Sequence, residues 1–341
     1  MAQELRLGTR GSQLALWQAH AVEARLAASG APPCRIVVIK TSGDRLQEAP
    51  LADVGGKRLF VKELEDALFR REIDLAVHSS KDMPVVLPDG LVIAGVLPRE
   101  DPLDAIVLRV VAHGSWLMAG RKAISHQPSA MTNVDDLLAA LGQSPSIGTS
   151  SVRRIAQLTR LVPGARFTPI RGNLDTRLRK LDEGQHDALV LAAAGLRRLG
   201  FGSRITLALP AAECVPAPGQ GIVAVETRAD DEATRSAVER IGDTDAAAAL
   251  AAERSVVEAL GGGCQTPVGA LAELRGDDVL EIVAVVVALD GNEAVRGHIA
   301  GPREAAASLG KRLGAQLIAD GAAEILAGVR RKEGPVAGIQ P

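Results

Sequence analysis

Asp82 stands where a carboxylate can do chemistry, directly after an apolar stretch and between Lys81 and Met83-Pro84. A carboxylate in the loop that follows a strand can give or take a proton and can stabilise a neighbouring cation. From position alone, however, an aspartate that only orders a loop or caps a helix is the commoner case. Asp82 is therefore a candidate catalytic group whose role depends on its surroundings.

Arginines form the second candidate feature, because residues 151–205 contain eleven Lys or Arg against four Asp or Glu. Arg153 and Arg154 lie in the predicted first turn of a helix that Ser151 can cap, and such an N-terminus can hold carboxylates or phosphates. Further arginines follow successive predicted strands: Arg171, Arg177, Arg197 and Arg198. One such arginine alone is typical of a solvated surface charge. Several at strand ends share one edge of a sheet, where together they could form an anion site. The pattern alone is equally consistent with both interpretations.

Cys264 is the third candidate, since the glycines at 261–263 leave its backbone free to form an exposed turn. A nucleophile or a covalent attachment point suits such a loop, and a small buried apolar residue is an equally consistent interpretation. With Cys34 and Cys214 it makes an odd, sparse set, so we predict neither a disulfide framework nor a metal site. No GxGxxG or P-loop pattern occurs at a strand–helix turn.

Alternating strand and helix signals position Asp82 in the first hundred residues. The predicted strands are residues 5–8, 34–41 and 74–79, and the predicted helices follow Ser12 and contain Phe60, Leu64 and Leu68. This alternation predicts a largely parallel α/β sheet, in which ligands bind at the carboxyl ends of the strands. We therefore expect the chemistry in the loops after Thr9, Thr41 and Ser79.

A second α/β pattern follows, and then a different one. The predicted strands are 146–149, 167–171 and 187–192, with helices at 152–161 and from Leu174. The Pro- and Gly-rich segment 216–221 predicts a crossing between domains, and 222–226 a strand that returns to the first domain. A helix at 245–260, strands separated by turns at 275–277 and 290–292, and helices from Arg303 predict a small antiparallel sheet with helices on one face. Residues 111–133 have weak periodicity and predict a surface insertion.

Composition restricts the class of protein. The chain has 341 residues, 47% hydrophobic and 23% charged, which suggests two or three ordinary globular domains. Its net charge of -2 argues against nucleic-acid binding, and we expect no nucleic-acid partner. We find no signal peptide and no apolar run long enough to cross a bilayer, so we expect a cytoplasmic protein without a membrane partner.

Eight blocks, in order and spacing, resemble the porphobilinogen deaminase (hydroxymethylbilane synthase) family over nearly the whole chain. The blocks are GTRGSQLALWQA at 8–19, GGKRLFVKEL at 55–64, AVHSSKDMP at 76–84, GTSSVRR at 148–154, RGN at 171–173, LAAAGL at 191–196, PGQG at 218–221 and GGCQTPVG at 262–269. Gly11, Arg58 and Ser80 depart from the family pattern, and the 111–133 stretch is longer. That insertion is consistent with a passive surface loop, a contact within the protein or a lid, and we favour the passive loop.

The resemblance implies a fold of three domains. Two are α/β domains like the halves of periplasmic binding proteins, with the active site in the cleft between them, and the third is a small α+β domain. We expect residues 1–104 and 220–241 in the first domain, 105–219 in the second and 242–341 in the third. The resemblance gives no reason to expect more than a monomer.

The resemblance also implies a transferase. In this family a dipyrromethane cofactor, made from the enzyme's own substrate, is attached through a thioether to the cysteine that Cys264 matches. Four porphobilinogens then add head to tail, each losing ammonia, and hydrolysis releases the linear tetrapyrrole hydroxymethylbilane in haem biosynthesis. Asp82 matches the catalytic aspartate, which assists the leaving amine and stabilises the cationic pyrrole.

Acetate and propionate groups on every pyrrole make the growing chain a polyanion, which requires many arginines. By motif position, the cofactor-binding residues are Cys264, Lys81, Asp82, Ser151, Arg153, Arg154, Arg171, Gly172 and Arg177. The substrate-binding residues are Arg10, Ser12, Phe60, Arg171, Arg177 and Arg198, with Phe60 packed on a pyrrole ring.

Other functions fit parts of the pattern. A non-enzymatic protein that binds anions in a two-domain cleft shares the fold and the arginines but has no use for Asp82 or Cys264. A transferase that uses Cys264 itself as nucleophile predicts a free reactive thiol, whereas the deaminase predicts a blocked one. A regulatory nucleic-acid-binding protein agrees least with the net charge.

Overall fold

The computed structural model describes residues 4–41, 61–111, 115–118, 121–124, 131–261 and 266–332. Two predicted site residues, Phe60 and Cys264, lie outside these ranges, as does most of the loop after Thr41. Every other predicted site residue lies inside them.

Sixteen strands and ten α-helices span the described ranges. The strands are β1 (Leu5–Thr9), β2 (Cys34–Val38), β3 (Leu75–Ser79), β4 (Leu91–Val96), β5 (Asp104–Leu108), β6 (Val110–Val111), β7 (Ser115–Met118), β8 (Arg121–Ile124), β9 (Ser146–Gly148), β10 (Arg166–Thr168), β11 (Ala188–Ala192), β12 (Leu207–Ala208), β13 (Val223–Arg228), β14 (Val268–Arg275), β15 (Val279–Val287) and β16 (Ala294–Pro302). The helices are α1 (Gln13–Ala28), α2 (Lys62–Phe69), α3 (Val134–Leu141), α4 (Val152–Leu161), α5 (Leu174–Asp182), α6 (Ala193–Arg198), α7 (Glu232–Glu239), α8 (Thr244–Ala259), α9 (Ala306–Leu317) and α10 (Ala323–Lys332).

The first sheet has the strand order β2-β1-β3-β13-β4. Strands β1, β2 and β3 are parallel, as predicted, and β13 runs antiparallel between β3 and β4. Helix α1 begins where predicted because the Ser12 Oγ accepts a hydrogen bond from the Ala15 N–H, which satisfies a backbone donor of the first turn. The carboxyl ends of β1 and β3 therefore lie at one edge of this sheet.

The second sheet has the order β10-β9-β11-β5-β12. Strands β9, β10 and β11 are parallel, whereas β5 is antiparallel to β11. The predicted strand 167–171 is shorter in the structure and ends at Thr168. The Ile170 N–H donates to the Ser150 Oγ and not to a neighbouring strand, so pairing ends before Ile170.

The third sheet, β14-β15-β16, is antiparallel, which confirms the α+β prediction for the last part of the chain. Its buried face contacts α8 and α9 through a core of Ala, Val, Leu and Ile side chains. The α/β class with a small α+β unit is therefore as predicted. The insertion near 111–133 contains a separate small sheet, β6-β7-β8, which its weak periodicity did not indicate.

Two chain segments cross between the first and second sheets, one before β5 and one before β13. Gly221 in the second segment has a φ of 88°, and a Cβ there would collide with the carbonyl oxygen of Glu100 in the first. Such a close approach with a positive φ requires glycine. The two crossing segments therefore run side by side.

Glu253 of α8 ties both crossings to the third sheet. Its buried carboxylate accepts hydrogen bonds from Arg99 Nη1 at 2.6 Å, the Gly219 N–H at 2.6 Å and the Ala272 N–H at 2.7 Å. Arg99 also donates from Nε to the carbonyl oxygen of Gln220 at 2.9 Å. A charge that is fully buried needs such partners, and here they come from three parts of the chain.

Among the described helices, none combines the length and the apolar character that a bilayer crossing requires.

Candidate functional site

The predicted site residues lie at the edges where strands of the first two sheets end. Ser12 follows β1, Lys81 and Asp82 follow β3 in a short 3-10 turn, and Ser151 follows β9. Arg198 ends the helix that follows β11. Parallel strands direct their carboxyl ends to one edge, which explains how distant segments come together.

Asp82 is exposed and lines a small cavity of about 70 Å³ together with Arg10, Ser12 and Gln18. The cavity also contacts Ser79, whose Oγ accepts a hydrogen bond from Gln18 Nε2 at 2.8 Å. The cavity thus combines a carboxylate, a guanidinium, hydroxyls and an amide. These groups can bind a small polar molecule and exchange a proton with it.

Arg153 and Arg154, which were predicted to face an anion, hold an internal one. Asp104, fully buried at the start of β5, accepts from Arg153 Nη1 at 2.6 Å and from Arg154 Nε at 2.9 Å. Burial opposes ionisation of Asp104, but the charges and hydrogen bonds of the two arginines outweigh it. They hold the pKa of this carboxyl well below its usual range.

Arg153 binds the protein interior through both of its Nη atoms. Its Nη1 also donates to the carbonyl oxygen of Val215 at 2.7 Å, its Nη2 donates to Asp104 at 3.1 Å, and it is 4% exposed. The Cys214 thiol lies 3.4 Å from Asp104, and burial raises its pKa to about 12. Cys214 is therefore a protonated part of this buried cluster.

Cations crowd the other side of the cluster. Burial and the neighbouring charges of Arg154 and Arg171 lower the pKa of Arg177 to about 10. Burial also lowers the pKa of Lys81, to about 8, and the like charges of Arg153 and Arg154 contribute to this shift. Burial is the larger cause of both shifts and like charge the smaller one, and a bound anion would favour the charged form of both groups.

Gly172 shapes the backbone beside these cations. It has a φ of 107°, and its carbonyl oxygen accepts from Arg177 Nε at 2.8 Å. The carbonyl oxygen of Arg171 accepts from Lys180 Nζ at 3.2 Å. The carbonyl oxygen of Gly172 therefore holds the Arg177 guanidinium in position.

Replacing Gly172 with alanine is expected to destabilise the fold by about 1–3 kcal/mol and to weaken anion binding. The added Cβ would lie 2.7 Å from the Thr176 Cγ2, in a backbone conformation that alanine rarely adopts. Chemical denaturation measures the first effect and substrate KM the second. Gly200→Ala is the matched control, because Gly200 has a φ of 78° and a Cβ added there would have no heavy atom within 4 Å apart from its chain neighbours. Equal losses in both variants would show that only the φ angle matters.

Serine hydroxyls at the two helix starts act as caps. The Ser12 Oγ accepts from the Ala15 N–H at 3.3 Å, and the Ser151 Oγ accepts from the Arg154 N–H at 3.4 Å. A hydroxyl that accepts from the backbone still has its own proton to donate. Both serines can therefore bind a carboxylate while they cap their helices.

Arg198 connects the two α/β parts. Its Nη2 donates to the carbonyl oxygen of Gly221 at 2.7 Å, and its guanidinium carbon lies 5.4 Å from the centre of the Trp17 ring. Burial lowers the pKa of Arg198. Trp17 is on α1, so this cation–π contact joins the first sheet's helix to α6.

Sequence reasoning did not identify four buried polar residues at this edge: Gln18, His78, Asp104 and Gln220. His78 Nε2 lies 3.0 Å from Glu226 Oε2 across the β3–β13 pair. Only Gln220 had a local signal, because it lies in the Pro- and Gly-rich crossing segment. The others gain their partners through tertiary contacts, which local patterns do not reveal.

A wider surface depression of about 500 Å³ lies between α5 and residues 201–204. It is lined by Phe201 and by charged residues that include two ion pairs, Arg204 with Asp182 at 2.7 Å and Arg179 with Glu183 at 2.6 Å. None of the predicted site residues lines it.

Two family models match the chain. Residues 5–236 match the model described as "Porphobilinogen deaminase, dipyromethane cofactor binding domain". Residues 247–319 match "Porphobilinogen deaminase, C-terminal domain".

Curated relatives match over nearly the full length. Porphobilinogen deaminase from Desulforudis audaxviator is 46% identical over 332 residues, which cover 97% of this chain and 99% of the relative. Porphobilinogen deaminase from Geotalea daltonii is 42% identical over 331 residues, which cover 97% and 96%. Among solved structures, the periplasmic aliphatic sulphonate binding protein SsuA from Escherichia coli is 13% identical, with a TM-score of 0.38 over 76% of this chain and 70% of that one.

Proposed function

The chain belongs to the porphobilinogen deaminase family, and we propose that Asp82 is its catalytic group. Its function is the deaminating condensation of porphobilinogen in tetrapyrrole biosynthesis, with a dipyrromethane cofactor. The finer proposal is a hydroxymethylbilane synthase, a transferase that adds four porphobilinogens and releases the linear product by hydrolysis.

One observation carries the assignment of the site. A single cavity contains Asp82 and Arg10, and Asp82 also acts electrostatically on Lys81 and on Arg177. A carboxylate beside crowded cations suits a reaction in which a cationic pyrrole develops on a molecule that carries carboxylates. A protein that only binds anions has no use for that carboxylate.

The cationic edge fits a dipyrromethane, because each of its two pyrroles carries an acetate and a propionate. The crowding at Arg177 and Lys81 supports a ligand with several negative charges. We assign direct contacts with these carboxylates to Lys81, Ser151, Arg171, Arg177 and the backbone at Gly172. Arg153 and Arg154 are both held by Asp104 and act on the same carboxylates through their charge and through the N–H groups that the protein does not use. When bound, the dipyrromethane supplies the primer on which the chain grows.

Asp82 acts on the porphobilinogen itself. The bond between the aminomethyl carbon and nitrogen breaks, the nitrogen leaves as ammonia with the bonding electron pair, and the pyrrole becomes electron-deficient. The Asp82 carboxyl can deliver a proton to the departing amine, and as a carboxylate it stabilises the pyrrole N–H and its positive charge. Arg10, Ser12 and Arg198 hold the substrate's carboxylates meanwhile. Phe60, outside the described residues, is assigned a pyrrole contact by its motif position alone.

Cys264 is the proposed attachment point, and it too lies outside the described residues. The strand that follows its loop supports the assignment, because the Ala270 N–H of β14 donates to the carbonyl oxygen of Pro216 at 3.0 Å. Pro216 is in the crossing segment four residues before Gln220, which contacts Lys81. The loop therefore leads directly into a strand anchored beside the site.

The test is the intact mass of the denatured protein. We expect an excess equal to two porphobilinogens less two ammonias, on the peptide that contains Cys264. Cys264→Ser should lack this mass, whereas Cys34→Ser should keep it, because Cys34 is the first residue of β2, at the end of the strand opposite the carboxyl edge. An unmodified protein that gains no mass on incubation with porphobilinogen would contradict the proposal. A free, reactive Cys264 in an active enzyme would favour a direct nucleophile.

We also propose that the enzyme works as a cytoplasmic monomer. Cys34 and Cys214 are both free thiols, as is usual for proteins of a reducing compartment. Within the described residues, one chain provides every group of the site.

A further inference from the structure

Gln220 has an unusual set of contacts for a neutral side chain. Its amide is 1% exposed, in the crossing segment between the two α/β sheets. The Nε2 donates to the carbonyl oxygen of Pro102 at 2.7 Å and to Asp104 Oδ1 at 3.0 Å. The Oε1 accepts from Lys81 Nζ at 3.3 Å and from Arg154 Nη2 at 3.5 Å. Both amide hydrogens and both oxygen lone pairs are therefore used.

Only an amide satisfies this arrangement. The side toward Asp104 requires a donor, and the side toward Lys81 and Arg154 requires an acceptor. A glutamate would bring a second carboxylate against Asp104, and an apolar side chain would leave buried polar groups without a partner. The charges on either side also fix which way the amide points.

Lys81 depends on this contact more than the arginines do. Arg153 and Arg154 each bind Asp104 directly, whereas the Lys81 ammonium reaches that carboxylate through the Gln220 amide. Four charged groups face Lys81: Asp82 and Asp104 favour its ammonium form, and Arg153 and Arg154 oppose it. Burial opposes the ammonium form more than either arginine does, and together these effects bring the pKa of Lys81 to about 8.

We propose that Gln220 is a positioning residue, whose amide couples Lys81 to the buried Asp104 and thereby fixes both the location and the charge of the Lys81 ammonium. The proposal rests on the assignment of Lys81 as a cofactor-binding group. Gln220 then takes part in the chemistry as well as in connecting the two α/β sheets.

The coupling has a consequence for pH. Lys81 has a pKa of about 8, so a modest change in its surroundings changes the fraction that is charged at neutral pH. Loss of the accepting oxygen favours the neutral amine and lowers the pKa. A carboxylate at position 220 favours the ammonium and raises it.

The test compares Gln220→Met, Gln220→Glu and Gln157→Met in holoenzymes whose equal cofactor loading is verified by intact mass. Gln157→Met is the matched control, because Gln157 binds the crossing segment through the Val215 backbone at 2.7 and 3.0 Å and makes no hydrogen bond to Lys81. The pKa of Lys81 is read from the pH dependence of its reductive methylation, by mass spectrometry of its peptide. The alkaline limb of kcat/KM for porphobilinogen is measured in parallel.

We expect Gln220→Met to lower the pKa of Lys81 by about one unit and Gln220→Glu to raise it, with the alkaline limb moving in the same directions. Gln157→Met should lower thermal stability and leave the titration of Lys81 unchanged. If either Gln220 variant does not fold, the other decides. An unchanged Lys81 titration in the folded variant, or an equal shift in Gln157→Met, would overturn the proposal.

Methylation of Lys81 reports on its charge whether or not the enzyme turns over. A failure of the Gln220 proposal is thus distinguishable from a failure of the cofactor assignment, which the mass of the Cys264 peptide tests separately. If Lys81 titrates as expected but the alkaline limb stays fixed, Gln220 does not position Lys81 for the reaction, and the proposal fails on its second readout.

Discussion

Replacing Asp82 with alanine is expected to lower the turnover of porphobilinogen by between about 10²- and 10⁴-fold, the range for loss of a positioned acid or base. The remaining cations would still bind the substrate, so KM should change much less than kcat. Steady-state kinetics with purified enzyme measures both. Thermal stability should stay the same, because the Asp82 side chain is exposed.

Asp89→Ala is the control for this prediction. Asp89 is also an exposed aspartate, seven residues further along, and it does not line the cavity. Its replacement should leave kcat unchanged. Product formation at a normal rate by Asp82→Ala would remove Asp82 from the mechanism.

Replacing Asp104 with asparagine is expected to reduce the free energy of unfolding by about 3–5 kcal/mol, because two buried guanidinium groups lose their counter-charge. The substitution keeps the shape of the side chain and removes only its charge. Chemical denaturation followed by circular dichroism measures the loss. The variant should also hold the cofactor less uniformly in one position. Without the charge of Asp104, Arg153 and Arg154 would compete with the other cations for the cofactor's carboxylates.

Asp101→Asn is the matched control. Asp101 also pairs with an arginine, at 3.0 Å, but Arg197 is 48% exposed, so this pair should contribute at most about 1 kcal/mol. If Asp104→Asn lowered the free energy of unfolding by as little as Asp101→Asn, the arginine cluster would not need its buried anion.

The stabilisation by Asp104 should have a defined pH dependence. Its folded-state pKa lies below the ordinary value of about 3.9, so the unfolded chain takes up the proton first as pH falls. The contribution is complete above that ordinary value and decreases as the pH falls toward the folded-state pKa. The difference in stability between the unsubstituted protein and Asp104→Asn should therefore be constant near neutral pH and narrow only below about pH 4.

Local sequence signals predicted most of the elements that position the site. The caps at Ser12 and Ser151 mark the starts of α1 and α4, and the crossing before β13 was expected from its Pro and Gly residues. These signals work because they depend on neighbouring residues. The strand predicted at 167–171 was too long because Ser150, which binds the backbone of Ile170, is twenty residues away.

Such local signals could not predict the electrostatics of the site. Asp104 is about fifty residues from Arg153 and Arg154, and it reaches them only because β5 runs antiparallel to β11. That direction places the start of β5 at the edge where the parallel strands end. Sequence reasoning therefore identified the arginines without their internal counter-ion. The predicted domain boundaries, and the individual roles of the site residues, stay predictions.

The contact between Arg198 and Trp17 has an optical consequence. The chain has two tryptophans and no tyrosine, so its near-ultraviolet emission comes almost wholly from Trp17 and Trp116. A guanidinium over an indole ring changes the electric field that the excited state experiences, and Trp17 is 39% exposed. Each carboxylate that draws Arg198 away would alter that field. The protein thus carries a natural fluorophore in contact with a predicted substrate-binding arginine, and Trp116→Phe would isolate its signal for following chain growth in real time.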